Sequence, residues 1–322
     1  MEISAAIIGK NSTKSLEYTI LSLKGICNQI VFVDTGSDDQ TPQLAARLGA
    51  EVYFFDWQND FSLARNFALR FVRNDWILSI DTDEILSQID MHKLDESIER
   101  NSNIGGFNVT LKNYLNKEDL NQFSIHHYTR LFRKHHLIRF SGKIHEQIRP
   151  SIEALGLEIV DSNIVIEHFG YMEQSAEKQV RNLQLLENQI EENDNDVFFK
   201  YHLAQTEFSL KNFQKAKEIF LEIISSPLLS AEQIAFSKIR LGQIFINENN
   251  FSEAEKYLLD KIDDDNLDGL RLFVLAATKI SRHDFQSAYK IYNNPILLNS
   301  SYVDKKVVDQ ALSAIKQILG IN

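Results

Sequence analysis

The second half of the chain repeats itself, and that constrains its fold more than any other feature. Leu203-Ala204, Leu241-Gly242 and Leu275-Ala276 are each followed by a Phe ten positions after the Leu: Phe213, Phe251 and Phe285. An Ala follows three positions later: Ala216, Ala254 and Ala288. From Leu203 to Leu241 to Leu275 the intervals are 38 and 34 residues, the period of stacked helical hairpins. The stretches KNFQKAKEIF, NNFSEAEKYL and HDFQSAYKIY echo one another. Small residues let the two helices of a hairpin approach, and Phe fills the gap between hairpins. A non-repeating bundle with coincidental spacing is the competing reading, and three matches at three anchor positions weigh against it. From about Glu173 onward the pattern is helical throughout.

The first half alternates two periods. Ile3 to Ile8, Ile30 to Val33, Val52 to Phe55 and Trp76 to Ile80 are short apolar runs of strand type. Between them lie helical patterns: Leu16, Ile20 and Leu23 on one face, a short helix near Pro42, then Ala64, Phe67, Ala68 and Phe71. This order predicts a mostly parallel sheet with helices on its faces, and functional groups belong at the carboxyl ends of such strands. Asp34 and Asp81 each follow a predicted strand directly. Phe107, Val109 and Leu111 alternate as a half-buried strand does, and Leu131-Phe132 and Ile164 to Ile166 are further short strands.

Composition narrows the class. The 322 residues suffice for two modest domains, with 43% hydrophobic and 25% charged residues as in ordinary globular chains. No apolar run reaches the ~18 residues of a membrane span, and the N-terminus lacks the basic region of a secretory signal. One cysteine, Cys27, excludes an intrachain disulfide framework and fits a reducing compartment; it sits in an apolar pattern and reads as core. The expected location is the cytoplasm. A net charge of −11 argues against a nucleic-acid partner, which needs clustered cations, and leaves room for a small basic pocket.

Asp81-Thr82-Asp83 follows the run WILSI. Two carboxylates one residue apart at a strand end can bind a divalent cation, Mn²⁺ or Mg²⁺, that bridges to substrate phosphates. The plain alternative is a cap on a helix starting near Glu84. Asp34, within VDTGSDDQT, serves either an Asx-type turn or contact with a nucleotide. In NDFSLARN, Ser62 is the expected helix N-cap. Arg65 in the first turn works against the helix dipole, so it needs a partner, either a carboxylate such as Asp60 or a ligand phosphate.

VDTGSDDQTPQLAARLGAEV, NDFSLARNFAL and DWILSIDTDE, continued through TRLFRK, FSGKIHEQI and IEHFGY, resemble family 2 inverting glycosyltransferases of the GT-A fold. The resemblance covers roughly residues 1–172 and includes bacterial enzymes that glucosylate lipopolysaccharide core sugars or bacteriocin peptides. It implies a GT-A, Rossmann-like nucleotide-sugar domain over 1–172, and the internal repeat, close to the 34-residue tetratricopeptide period, gives an all-α tetratricopeptide-repeat domain over 173–322. It implies that Asp34 contacts the base, that Arg65 and Asn66 help hold the nucleotide, and that Asp81 and Asp83 bind metal and diphosphate. Where such enzymes often carry Lys-Asn-Glu after the first strand, this chain has Lys10-Asn11-Ser12.

Inverting transfer requires a base that takes the acceptor proton. Glu146, in Gly142-Lys143-Ile144-His145-Glu146, is the candidate, with Asp83 as its substitute and a loop-pinning role as the plain reading. His145 is a candidate further metal ligand and His168 a second, the latter read first as a packed histidine. Arg133, with Arg130, is expected at the diphosphate. Adjacent histidines on a strand point to opposite faces, so His126-His127 and His135-His136 do not read as zinc sites.

The expected activity is transfer of a sugar, glucose or N-acetylglucosamine favoured, from a UDP-sugar donor to a peptide, protein or glycan acceptor. A dinucleotide-dependent dehydrogenase lacks its G-x-G-x-x-G fingerprint. The alternative is an interaction scaffold whose nucleotide-binding domain is vestigial. The repeats either recognise a polypeptide on a concave surface or form a homodimer, as in the peptide glycosyltransferases of similar architecture.

Overall fold

The computed structural model describes residues 1–115, 119–170, 176–192 and 196–321. The chain divides into two compact units, one of residues 1–117 and 124–175 and another of residues 118–123 and 176–322. The boundary expected between 172 and 173 lies outside the described residues.

The first unit contains, in order, β1 (Ile3–Gly9), α1 (Leu16–Leu23), β2 (Gln29–Asp34), α2 (Thr41–Arg47), β3 (Glu51–Phe54), α3 (Phe61–Ala68), β4 (Trp76–Ser79) and β5 (Glu84–Gln88). It continues with α4 (Met91–Arg100), β6 (Ile104–Tyr114), β7 (Phe123–Arg133), α5 (Arg149–Glu153) and β8 (Glu158–His168). The sheet order is β3-β2-β1-β4-β7-β6-β8-β5. β3, β2, β1 and β4 run parallel; β7 pairs with β4 antiparallel, β8 with β6 parallel and β5 with β8 antiparallel. The predicted strands all form, in a sheet that is mixed beyond β4.

β1 is buried from Ile3 to Ile8, and apolar there except for Ser4, because both its faces are covered. Ile3, Ala5 and Ile7 pack with Leu16, Ile20 and Leu23 of α1. The alternate residues Ala6 and Ile8 pack with Ala64 and Ala68 of α3, as a period of two requires. Phe32, Phe107 and Phe132 are fully buried, each stabilising the fold by about 2–3 kcal/mol through burial.

Two local expectations are corrected. Asp60, not Ser62, is the N-cap of α3: its carboxylate accepts from the Leu63 N–H at 3.0 Å. No helix starts at Glu84, where β5 begins instead.

The second unit is helical: α6 (Ala176–Glu192), α7 (Val197–Ser209), α8 (Phe213–Ile223), α9 (Ala231–Asn247), α10 (Phe251–Leu258), α11 (Asp265–Ser281), α12 (Phe285–Tyr292), α13 (Pro295–Asn299) and α14 (Lys305–Leu319). The three repeats are the hairpins α7/α8, α9/α10 and α11/α12. Each repeat Phe is the first residue of the second helix, and Ala216, Ala254 and Ala288 are fully buried. At Gly242 an added Cβ would meet the Leu258 side chain at 2.9 Å, which is the close approach the small residue permits. The unequal intervals have a simple origin. α8 has 11 residues against 8 in α10, and the link before α9 is one residue longer than that before α11. Each hairpin turns on a left-handed residue: Lys211, Asn249 and His283, with φ of 64°, 58° and 61°.

Candidate functional site

Strand order reverses between β1 and β4, which places a crevice at their carboxyl ends. Asp81-Thr82-Asp83 forms the turn leaving β4 at this point. Thr82 is held from beneath: its carbonyl accepts from the Thr19 hydroxyl at 2.9 Å and its own hydroxyl donates to Ser12 at 3.0 Å. Gly9 ends β1 under this turn, and a Cβ there would stand 2.5 Å from the Thr82 methyl.

Arg65 projects from α3 beneath Asp81 and is buried. Its Nη2 donates to Asp81 Oδ1 at 2.7 Å, its Nη1 to the Ser79 hydroxyl at 3.0 Å, and its Nε to Glu146 Oε1. Its partners are therefore Asp81 and Glu146, whereas Asp60 is spent on the helix cap. Arg130, from β7, reaches Asp81 Oδ2 at 3.4 Å and Glu84 Oε1 at 3.2 Å. Glu84 turns back to accept from the Asp81 N–H at 2.8 Å. Three carboxylates thus share two guanidiniums.

Burial disfavours charge on all these groups, and the pairs outweigh it where they are close. Arg65 loses basicity to burial but gains more from Asp81 and Glu146, so its affinity for the proton rises. Burial pushes Asp81 up, yet Arg65 and Arg130 hold it well below the usual carboxylate range. For Glu84 burial, with Asp81 beside it, prevails over Arg130, and its carboxyl is raised.

Glu146 stands in a loop anchored largely by α3. Ser141 and Gln147 close the loop with reciprocal backbone hydrogen bonds of 3.0 and 2.9 Å. The Phe61 N–H donates to the Lys143 carbonyl at 2.9 Å. The Asn66 amide donates to the Phe140 carbonyl and accepts from the Phe140 N–H, both at 2.9 Å. Asn66, expected at the nucleotide, is therefore engaged at both ends in fixing the loop. Left-handed backbone at Gly142 (φ 97°) and His145 (φ 52°) bends the segment.

The second carboxylate of the turn faces elsewhere. Asp83 Oδ1 lies 3.6 Å from His168 Nε2, and His168 Nδ1 is 2.7 Å from Asn113 Oδ1. The amide oxygen only accepts, so Nδ1 carries the hydrogen and Nε2 faces Asp83. Gly170 makes this possible: a Cβ there would lie 1.8 Å from Asp83 Oδ2 and 2.9 Å from His168 Nε2. Burial lowers the basicity of His168, and Asp83, Glu84 and Asp81 together raise it further than burial lowers it.

Other expected residues are placed differently. His145 has its basicity pushed down to about 4 by burial. Among the described residues no three His, Cys, Asp or Glu side chains form a cluster able to hold a metal ion, so Asp81, Asp83 and His145 are not gathered as one set. Arg133 pairs across from Trp76 at the amino end of β4, the end away from Asp81. Its guanidinium donates to the carbonyls of Ile104 at 2.5 Å and Ser102 at 3.0 Å and lies over the Trp76 ring. It pins β6, and Arg130 is the arginine at the site. Asp34 accepts from the N–H groups of Gly36 and Ser37 at 3.0 and 2.9 Å and from the Ser37 hydroxyl. Three bonds leave about one of its four acceptor positions for anything else. Glu84, Ser79 and Asn113 went unmarked in the sequence; the third acid of the run DTDE was the only signal for Glu84.

Residues 4–158 match the family model described as Glycosyl transferase family 2. The SPbeta prophage-derived glycosyltransferase SunS of Bacillus subtilis is 23% identical over 266 residues, 80% of this chain and 61% of that protein. A TPR repeat-containing protein of Synechococcus elongatus is 32% identical over 177 residues, 53% of this chain and 42% of that protein. The chain thus spans less than two thirds of the length of either relative. Among solved structures, Staphylococcus aureus TarS in complex with UDP-GlcNAc aligns with 100% of this chain and 93% of its own, at 14% identity and a TM-score of 0.43. Residues 4–158 are thus similar to glycosyl transferase family 2, and helical repeats follow that segment.

Proposed function

We propose that the chain transfers a sugar, glucose or N-acetylglucosamine, from a UDP-sugar to an acceptor nucleophile with inversion at the anomeric carbon. The observation that carries this reading is the convergence at the crevice beside β1. Asp34 ends β2 on one side of it, and Asp81 and Asp83 follow β4 on the other.

Asp34 shapes the turn that receives the nucleotide and keeps one acceptor position toward it. Arg65 holds Asp81 and Glu146 at fixed separation, and Arg130 takes the place expected of Arg133 beside the diphosphate. Glu146 Oε1 is engaged by Arg65, and we assign Oε2 to the acceptor proton. Asp83 and His168 offer one oxygen and one nitrogen donor, a set that suits Mn²⁺ better than Mg²⁺, whose ligands are oxygens, with the remaining positions filled by water and phosphate. Such an ion would neutralise charge on the leaving diphosphate. The cradle at Gly170 supports this fit, since any side chain there would displace Asp83. A polypeptide acceptor and pairing of two copies through the repeats belong to the same proposal.

The test is UDP release from UDP-glucose and UDP-N-acetylglucosamine, with and without Mn²⁺, by wild type and Asp83→Ala. Metal-dependent turnover that Asp83→Ala abolishes, with the melting transition kept, supports the reading. No turnover and no thermal shift with either donor would favour the scaffold alternative.

A further inference from the structure

Away from the crevice, the first unit carries a cationic face that the transfer chemistry leaves unused. A cavity of about 200 Å³ is lined by Arg70, Arg133, Lys134, His135, His136 and Arg139 over a floor that includes Leu69, Ile77 and Phe132. A second, of about 310 Å³, shares Arg70 and Arg139 with the first and is walled by Phe55, Leu63 and Phe67. The chain holds 45 acidic residues against 34 basic ones, so cations on its surface are outnumbered by carboxylates. Yet the contacts of these side chains are of other kinds. Arg70 lies over the Phe67 ring, Arg133 binds two carbonyls, and Lys134 reaches the Arg73 carbonyl at 3.4 Å. Among the described residues no carboxylate lies within ion-pair distance of Arg70, Arg133, Lys134 or Arg139. Leu137 stands among them at 54% exposure, and Leu63 beside the second cavity at 42%.

Unneutralised cations around exposed leucines and an apolar-floored groove are the chemistry of attachment to an anionic lipid surface. The cations meet headgroup phosphates, while the leucines enter the headgroup boundary. Among the described residues no helix is long and apolar enough to cross a membrane, so such attachment would be peripheral. The net charge of −11 repels the rest of the molecule from the same surface, which leaves this face to make the contact. We propose that Arg70, Lys134 and Arg139, with Leu137, form a docking face for anionic phospholipid bilayers.

Sedimentation with vesicles tests it. Wild type is expected to bind vesicles containing phosphatidylglycerol, not those of phosphatidylcholine alone, and to be released by high salt. Each basic residue near such a surface strengthens partitioning by about fivefold. The triple variant Arg70→Gln, Lys134→Gln, Arg139→Gln should therefore bind about a hundredfold more weakly, and Leu137→Ser should weaken binding without changing its salt dependence. A melting temperature near wild type shows that the variants fold. Absence of binding to phosphatidylglycerol vesicles would overturn the proposal, as would binding that the folded triple variant retains. Binding of an acidic peptide to this face with none to vesicles would overturn it too.

Discussion

Arg65 of α3 donates through Nε to Glu146, which lies 81 positions further along the chain. With its Nη2 on Asp81, the same guanidinium fixes the distance between the turn after β4 and the loop that carries Glu146. Replacing it by Met takes the guanidinium from Glu146 and leaves Asp81 with Arg130 alone. Arg65→Met should cost about 3–5 kcal/mol, the usual penalty for breaking a buried pair, read as a fall in the denaturation midpoint. Donor turnover should fall by at least about a hundredfold.

Asn66 offers a sharper separation of roles. Asn66→Ala removes both bonds to Phe140 and should cost about 1–3 kcal/mol. If Asn66 fixes the loop, kcat falls while KM for the donor stays within about twofold, because ground-state donor binding is untouched. A large rise in donor KM with unchanged kcat would return Asn66 to the nucleotide.

Gly170→Ala tests the seat of Asp83. A methyl placed 1.8 Å from Oδ2 must swing the carboxylate away from His168. The Mn²⁺ concentration giving half-maximal turnover should rise by about tenfold or more, with little change in melting temperature. Titration of donor turnover with metal reads this directly.

Cys27 packs against the core beneath β1, and burial pushes its thiol up to about 12. A folded thiol of that value is on the order of a thousandfold less ionised at pH 8 than one at the ordinary 8.5. Alkylation by iodoacetamide should be correspondingly slow in the native protein and should recover on denaturation. Labelling at equal rates in both states would show that the thiol is not held as described.

What the sequence made legible was periodic. Four strand-type runs alternate with helical patterns, and three hairpin anchors recur at intervals of 38 and 34 residues. The site was legible in its residue types and less so in its partners, because partners depend on register. Arg130 and Arg133 are three positions apart in one strand, so they stand roughly 10 Å apart along it. Only the pairing of Trp76 with Arg133 shows which of them reaches Asp81. Glu84 was hidden for another reason. DTDE reads locally as the cap of a helix, and β5 forms because tertiary pairing with β8 overrides that preference. His145 takes a left-handed backbone, a conformation that residue identity outside glycine does not announce.

The three hairpin turns share a consequence for engineering. Lys211, Asn249 and His283 hold the same left-handed position in successive repeats, where a side chain costs up to about 1–2 kcal/mol that glycine avoids, least for asparagine. None of the three is glycine. Glycine at Lys211 is therefore expected to stabilise its module most, and an array with glycine at these turns has more stability in hand against core substitutions.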